Sequence, residues 1–454
     1  MSNPFVDALP SDFVWGVATA SFQIEGAANE DGRGESVWDR FCATPGKVRN
    51  GDTGAVACDF YHRYREDIAL MRELGVDGFR FSVAWPRVLP EGRGKVNVKG
   101  LDFYDRLVDE LLGNGITPYV TLFHWDTPQA IEDAGGWPAR ATVDAFSEYV
   151  TAVAERLGDR VRHWITHNEP WVVSWIGYGW GHHAPGRTSD ADALATSHHL
   201  LLSHGRAVEL LRTLSPGSEV GITLNLDHVY AESDSAEDAA AARWVDGFHN
   251  RWFLDPIFTG AYPQDMLDSW ASIAPPIEDG DLEAISAPID FLGVNNYTSP
   301  LVAAGPEGGR SQFVRREDVD RTDMGWEVVP GGLRDLLLRL TADYAPEAIY
   351  VTENGAAYAD VRGHDGGVSD PERQAYYEGY VAAAAEAVAE GAPLRGYFAW
   401  SLLDNFEWAW GYWKRFGLVY VDYPTLERVP KGSFYWFRDL IAAQRAQGRG
   451  SEAA

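Results

Sequence analysis

Lysine is almost missing from this chain: of 38 basic residues in 454, five are lysine and 33 arginine. Acids number 67, giving a formal net charge of −29. That field repels phosphate backbones and anionic headgroups, so neither nucleic acid nor a membrane is an expected partner. Few lysines beside many acids would suit a salty milieu, but a GC-rich genome leaves the same Arg, Ala and Gly bias, and the genomic reading is preferred. Cysteine is scarce too. Cys42 and Cys58 are too few for a disulfide framework or a cysteine-rich metal site, and read as free thiols of a reducing compartment. No stretch approaches the roughly 18–20 apolar residues of a membrane span. The opening "MSNPFVDALPSDF" has neither a basic start nor an apolar run, so no secretory signal is expected and the location predicted is cytoplasmic. A glycine-rich phosphate loop is also lacking, since the glycines of "GYGWGHHAPG" stand at the wrong spacing and in the wrong context. The pairs His182-His183 and His198-His199 do not have the i, i+4 spacing with an intervening Glu of a helix-borne zinc site. No metal and no cofactor is expected.

What remains is 45% hydrophobic, enough for a large core. Eight short apolar segments, 13–21, 78–85, 117–125, 163–170, 219–228, 291–298, 348–355 and 394–403, read as strands. Between them lie helical patterns over 59–75, 99–114, 138–157, 190–214, 331–343, 371–391 and 430–446, some starting near capping residues such as Ser189 and Asp370. In the first, Phe60, Tyr64, Ile68, Met71 and Leu74 recur at steps of three and four. Strands alternating with helices imply a parallel sheet covered by helices, either a closed barrel or an open doubly wound sheet.

The strand ends discriminate. Gln23 and Glu25 lie just beyond the first segment, Trp85 after the second, and His124 with Asp126 after the third. Then come Asn168 with Glu169, Asn295 with Tyr297, Glu353, and Trp400 with Glu407. A closed barrel gathers such ends on one rim, where barrel enzymes keep their sites. The expected fold is therefore α/β: a single (β/α)8 TIM barrel spanning 1–446 with long βα rim loops, and a frayed tail over 447–454. The segment 299–325 reads as an irregular rim loop, not a domain junction.

Two of these ends carry glutamate: "HWITHNEPW" (163–171) delivers Glu169 before a proline, and "YVTENGAAY" (350–358) delivers Glu353 before Asn-Gly. Cleaving a glycosidic bond needs two carboxyl groups, one to protonate the leaving oxygen and one to attack the anomeric carbon or activate water. Either glutamate alone is more simply a structural ion-pair residue; both together on one rim point to that chemistry. Pro170 is expected to hold Glu169 in an extended backbone.

The motifs resemble those of glycoside hydrolase family 1, the β-glucosidase family, over nearly everything from "FVWGVATASFQIEG" to "RVPKGSFYWF". "WITHNEP" looks like that family's acid/base motif, "VTENG" its nucleophile motif, and "WSLLDNFEWAWGYWKRFGLVYVDY" its sugar-binding signature. The resemblance implies that Glu353 is the nucleophile, kept ionised by Arg80 and Tyr297, and that Glu169 is the general acid and later the base. Asn295 would support them. A retaining mechanism would set the carboxyl groups about 5–5.5 Å apart. Gln23, His124, Asn168, Glu407 and Trp408 would bind sugar hydroxyls, Trp400 would floor the ring, and Trp326 would line the aglycone entrance.

So the function implied is that of a retaining, exo-acting β-glucosidase acting on cellobiose-like oligosaccharides and aryl β-glucosides, with a role in cellulose breakdown. A preference for galactose or fucose stays open. Two departures from the family pattern stand out: Asn296 where tyrosine is frequent, bearing on substrate preference, and Ala261 where an acid is common. A 6-phosphoglycosidase is disfavoured, because Glu407 and Phe416 occupy places where that branch handles phosphate and only Lys414 fits. Thioglucosidases replace the acid with Gln, and a non-catalytic sugar receptor would usually lack one of the two glutamates; both are present.

Overall fold

The computed structural model describes residues 8–306 and 309–451. Eight parallel strands close into a barrel: β1 (Val14–Ala18), β2 (Gly78–Ser82), β3 (Thr117–Phe123), β4 (His163–Asn168), β5 (Glu219–Asn225), β6 (Phe291–Asn295), β7 (Ile349–Asn354) and β8 (Leu394–Trp400). Each pairs with its neighbours in sequence, and β8 returns to β1 with Val14 opposite Gly396 and Ala18 opposite Trp400. Every strand expected from the sequence is present, in the closed and not the open arrangement.

The barrel closes because glycines on some strands face rings on others. A Cβ on Gly16 would lie 2.2 Å from the Phe398 ring, and one on Gly221 would meet Phe291 at 2.4–2.6 Å. Tyr119, Phe291, Tyr350 and Phe398 pack into the freed space, with centroids 4.8–5.7 Å apart. Small opposite large is how a narrow barrel fills its interior.

Around it run α1 (Phe60–Leu74), α2 (Val98–Gly113), α3 (Ala141–Leu157), α4 (Asp190–Leu214), α5 (Trp252–Thr259), α6 (Pro330–Tyr344), α7 (Pro371–Ala389) and α8 (Gly432–Ser451). Phe60, Tyr64, Ile68, Met71 and Leu74 of α1 are all buried, as their spacing predicts. Ser189 caps α4 by accepting from the Asp192 amide. Asp370 sits at the N-cap position of α7 but caps nothing; its carboxylate is taken by Arg373 and Ser433.

The sequence reading leaves out the helices between β5 and β6. Ala236–Asp246, α5, Gln264–Ser269 and Asp281–Ile285 all lie there. Three of them are eight residues or shorter, too brief for a 3.6-residue period to emerge. The loop 299–325 is not wholly irregular either: Leu301–Ala303 and Gln312–Val314 form a small sheet with Tyr230–Ala231. The backbone of α8 runs on through Ser451, and the rest of the tail expected to fray lies outside the described residues. Among the described residues no helix is long and apolar enough to cross a membrane.

Behind the loops that follow β7 and β8 lies a buried ion cluster. Asp404 accepts from Lys431 (2.7 Å), Arg415 (2.6 Å) and the Gly417 amide (2.9 Å). Arg373 binds Asp360, Asp370 and the carbonyls of Ala356 and Arg415. Buried charges persist only when paired and hydrogen-bonded in this way.

Candidate active site

Both glutamates sit where a strand ladder slips. Pairing shifts between Ile165 and Asn168 on β4, and between Val351 and Glu353 on β7. Such irregularities re-aim the side chains that follow. The amide of Glu169 makes a last ladder bond to Thr223 O (2.9 Å), while its carbonyl accepts from Val172 (3.0 Å). One residue thus ends the strand and starts a helical turn, and its φ is +51°. The extended backbone expected before Pro170 is not adopted. A strand-to-helix turn without a spacer needs the left-handed conformation, at a cost of about 1–3 kcal/mol for a non-glycine residue.

A hydrogen-bonded chain joins the two acids. Arg80, buried on β2, donates one amino group to Glu353 Oε1 and the other to Asn168 Oδ1 (2.5 Å). Asn295 Nδ2 donates to the same Asn168 oxygen (3.1 Å) and to Glu169 Oε1 (2.6 Å). Thr352 Oγ1 orients Asn295 by donating to its Oδ1 (2.8 Å). The Tyr297 hydroxyl donates to Glu353 Oε2 (2.6 Å). With its oxygen so engaged, Asn168 turns its Nδ2 to His124 Nε2 (3.1 Å). That bond makes Nε2 the acceptor and puts the His124 proton on Nδ1, which has no protein partner. Burial, then the Arg80 charge, hold His124 neutral well below the ordinary histidine range.

The surroundings of the two acids therefore differ. Glu353 has a cation and a phenol, both donors that stabilise a carboxylate. Glu169 has one amide, and burial together with the nearby Glu353 charge pushes its carboxyl up to about 8. Glu407 is pushed to about 8 by the same two causes in the same order; its partner is Gln23 Nε2 at 3.5 Å. Gln23 is buried and donates chiefly to Asn405 Oδ1 (3.0 Å) and Phe406 O (2.9 Å), leaving its Oε1 without a protein partner.

Glu169, Glu353, Asn295, Tyr297, His124, Trp326, Trp400, Glu407 and Trp408 line one cavity of about 1300 Å³. Arg80, Asn168 and Gln23 stand just behind its wall. The Tyr297 carbonyl is clamped by the hydroxyls of Tyr376 and Tyr380 on α7, both at 3.2 Å. Trp326 lies 5.2 Å from Tyr297, and Trp400 and Trp408 flank His124 at about 6 Å.

Three strand-end residues named from the sequence serve the scaffold instead. Trp85 stacks on Tyr149 (5.3 Å) in the outer core. Glu25 pairs with buried Arg87 and accepts from Tyr104. Asp126 accepts from Ser21 (2.9 Å), and burial pushes it up to about 7. The Asn296 side chain also turns from the cavity, donating to Leu226 O (2.9 Å) and Thr298 O (3.0 Å). His198 and His199 are spent on Tyr262, Asp281 and Trp137 O.

Conversely, Trp125 and Asn225 line the cavity without having been singled out. Trp125, at φ +75°, donates its indole N–H to Asn168 O (3.0 Å). Asn225 ends β5 as the other polar residues end their strands, so the strand-end rule would have found it. The aromatic mouth formed by Trp171, Trp180, Trp244, Phe248 and Phe313 stands on the connections after β4, β5 and β6, with Trp244 on the helix Ala236–Asp246 and Phe313 on the strand Gln312–Val314.

Comparison with known proteins gives one answer. A sequence model described as glycosyl hydrolase family 1 matches residues 5–446. The chain is 50% identical to β-glucosidase A of Acetivibrio thermocellus over 95% of its length and 98% of that protein's. It is 46% identical to a 1,4-β-D-glucan glucohydrolase of Thermotoga neapolitana, covering 95% and 98%. Among solved structures, the Thermotoga maritima β-glucosidase in complex with glucoimidazole superposes with a TM-score of 0.94 at 47% identity, covering 96% and 99%. A rim with two glutamates, a closed eight-fold barrel and a match along almost all of its length lead to one statement: the chain belongs to glycosyl hydrolase family 1.

Proposed function

We propose that the protein is a retaining β-glucosidase that removes single glucose units from the non-reducing end of cellobiose-like oligosaccharides and aryl β-glucosides. The observation that carries this reading is the unequal support of two carboxyl groups on one hydrogen-bonded chain, Glu353–Arg80–Asn168–Asn295–Glu169. Glu353, bonded by Arg80 and Tyr297, attacks the anomeric carbon through a carboxylate oxygen. The bond to the leaving oxygen breaks as Glu169 passes its proton to that oxygen, giving a glycosyl ester on Glu353. Once the ester forms, the charge that raised Glu169 is gone, so Glu169 ionises and can take a proton from water. The water oxygen then displaces Glu353, and two inversions leave the β configuration intact. This requires carboxyl groups about 5–5.5 Å apart.

Gln23, His124, Asn168, Glu407 and Trp408 bind hydroxyls of the terminal sugar, with Trp400 beneath its ring and Trp326 beside the aglycone. The complexes of the Thermotoga maritima β-glucosidase with glucoimidazole and with deoxynojirimycin support an unphosphorylated sugar there. Three carboxyl groups, Glu169, Glu353 and Glu407, line the cavity and also disfavour a phosphorylated substrate. We place the enzyme in the cytoplasm, in the breakdown of cellulose-derived oligosaccharides; two buried free cysteines accord with a reducing compartment.

The test is hydrolysis of cellobiose and a panel of p-nitrophenyl β-glycosides, compared by kcat/KM, with the first-formed anomer followed by proton NMR. The β-glucoside is expected to be turned over with β-glucose appearing first. Appearance of α-glucose, or no turnover of any β-glycoside, would sink the reading. A higher kcat/KM on the galactoside or fucoside would reassign the sugar but not the mechanism.

A further inference from the structure

A buried line of hydroxyls ties three strand ends together and finishes on Asp126. Ser21, in the turn after β1, donates its amide hydrogen to Ser82 Oγ (2.7 Å) at the end of β2. Ser82 Oγ donates to Ser21 Oγ (3.0 Å), which in turn donates to Asp126 Oδ2 (2.9 Å) on the segment after β3. An amide N–H can only donate, so it fixes the direction of both hydroxyls that follow. The line can finish only on an acceptor, and the Asp126 carboxyl supplies it. Ser21, Ser82 and Asp126 are all buried, and Asp126 Oδ1 has no protein partner. Each tied segment carries a residue of the site: Gln23 two positions after Ser21, Arg80 two before Ser82, and His124 two before Asp126.

We propose that Asp126 is a positioning residue for the terminal sugar: acting through Ser21, it holds Gln23 and His124 at a fixed separation, and its charge state sets how firmly they are held. The proposal rests on the glucosidase reading above. Gln23 Oε1 and His124 Nδ1 are each buried without a protein partner, which leaves them to a ligand. Two groups that must meet hydroxyls of one rigid ring are sensitive to their spacing. Asp126 is the ionisable member of the line. Around it stand Arg33, paired with Asp39 (2.8 Å), Glu25, paired with Arg87 (3.0 Å), and the Tyr149 phenol, which bonds the carbonyls of Val83 and Leu122. Burial outweighs the Ser21 bond and the Arg33 charge, and pushes the Asp126 carboxyl up to about 7. Neutral, Asp126 accepts an ordinary hydroxyl bond; ionised, it accepts a charge-assisted one, roughly twice as strong. The sugar site therefore tightens as pH rises through about 7, against the direction of the Glu169 titration.

The experiment measures the inhibition constant of glucose against p-nitrophenyl β-glucoside, between about pH 5 and pH 8, in the parent, Asp126→Asn and Ser21→Ala. Glucose has no leaving group, so proton donation by Glu169 does not enter. The titrations of Glu169 and Glu407 are common to all three proteins and cancel in the comparison. Asparagine keeps the shape and acceptor oxygen of Asp126 but is neutral at every pH. Parent and Asp126→Asn are expected to bind glucose alike at the acid end and to diverge as pH rises through about 7, the variant becoming about fivefold weaker. Ser21→Ala severs the line and should lack the same tightening, whatever its affinity at low pH. A purely structural Asp126 would weaken glucose by one factor at all pH values; that result, or identical constants throughout, overturns the proposal. Should Asp126→Asn fail to fold, Ser21→Ala decides: a difference from the parent that does not widen with pH overturns the proposal. A parent that neither cleaves the aryl glucoside nor is inhibited by glucose sinks the glucosidase reading, and this one with it.

Discussion

At the floor of the cavity Arg80, Asn168, Asn295 and Tyr297 are tied to the two glutamates by hydrogen bonds, whereas at the mouth Trp171, Phe248 and Trp244 touch by ring faces and edges. The floor stands on strand ends, which the barrel fixes from both sides; the mouth stands on helical segments in the connections outside the barrel. Hydrogen bonds of defined direction discriminate one sugar orientation from another, while ring contacts tolerate sliding. The difference is one of construction: the floor fixes the direction of each polar group, and the mouth leaves its rings room to shift.

Substitutions at the floor sharpen this contrast most. Glu353→Gly should lower kcat by at least about 10⁴-fold, as loss of a covalent nucleophile does, and should synthesise β-glucosides from α-glucosyl fluoride. Residual normal turnover would reject Glu353 as nucleophile. Next in size is Glu169→Ala, expected to cost about 10²–10⁴-fold on cellobiose, to spare the first step on dinitrophenyl glucoside, and to speed up with azide. In the parent, kcat/KM should fall as pH rises through about 8, where Glu169 loses its proton; the variant should lack that limb. An unchanged limb in the variant would assign the titration elsewhere.

The smallest effect is on stability and has the opposite sign. Burial and Glu353 raise Glu407 from 4.5 to about 8 in the folded protein. The unfolded chain therefore ionises first, and the parent loses stability progressively between those values as pH rises, with no loss below the lower one. Glu407→Gln should raise Tm at pH 8 relative to the parent and leave it unchanged at pH 4, while weakening glucose binding. A Tm lower than the parent's at pH 8 would mean that Glu407 is held ionised.

All eight strands could be read from the sequence because short apolar segments bounded by polar strand ends are a local signal. The closed barrel followed from the positions of those ends, and Glu169 and Glu353 from their type. What could not be read was direction. Trp85, Glu25 and Asp126 share the rim with the site residues, yet each points into the scaffold, where Tyr149, Arg87 and Ser21 await it. Those partners lie tens of residues away, so nothing local announces them. The left-handed Glu169 was hidden for a similar reason: proline constrains the residue before it, but the turn is imposed by the ladder bond to Thr223. The mouth was least legible, because its rings are brought together only after β4, β5 and β6 have taken their places.

Lys431 stands one residue before α8, and its ammonium group is shared by Asp360 and Asp404. The first lies on the segment leaving β7, the second three residues before Glu407. At the other end of α8, Gln444 bonds the indole of Trp15 on the first strand and the carbonyl of Pro10. A chain ending before Lys431 would thus already carry both glutamates and every residue that lines the cavity, yet would lack the bonds made by Lys431 and Gln444. A truncation that removes α8 is therefore expected to lower activity although it removes no residue lining the cavity.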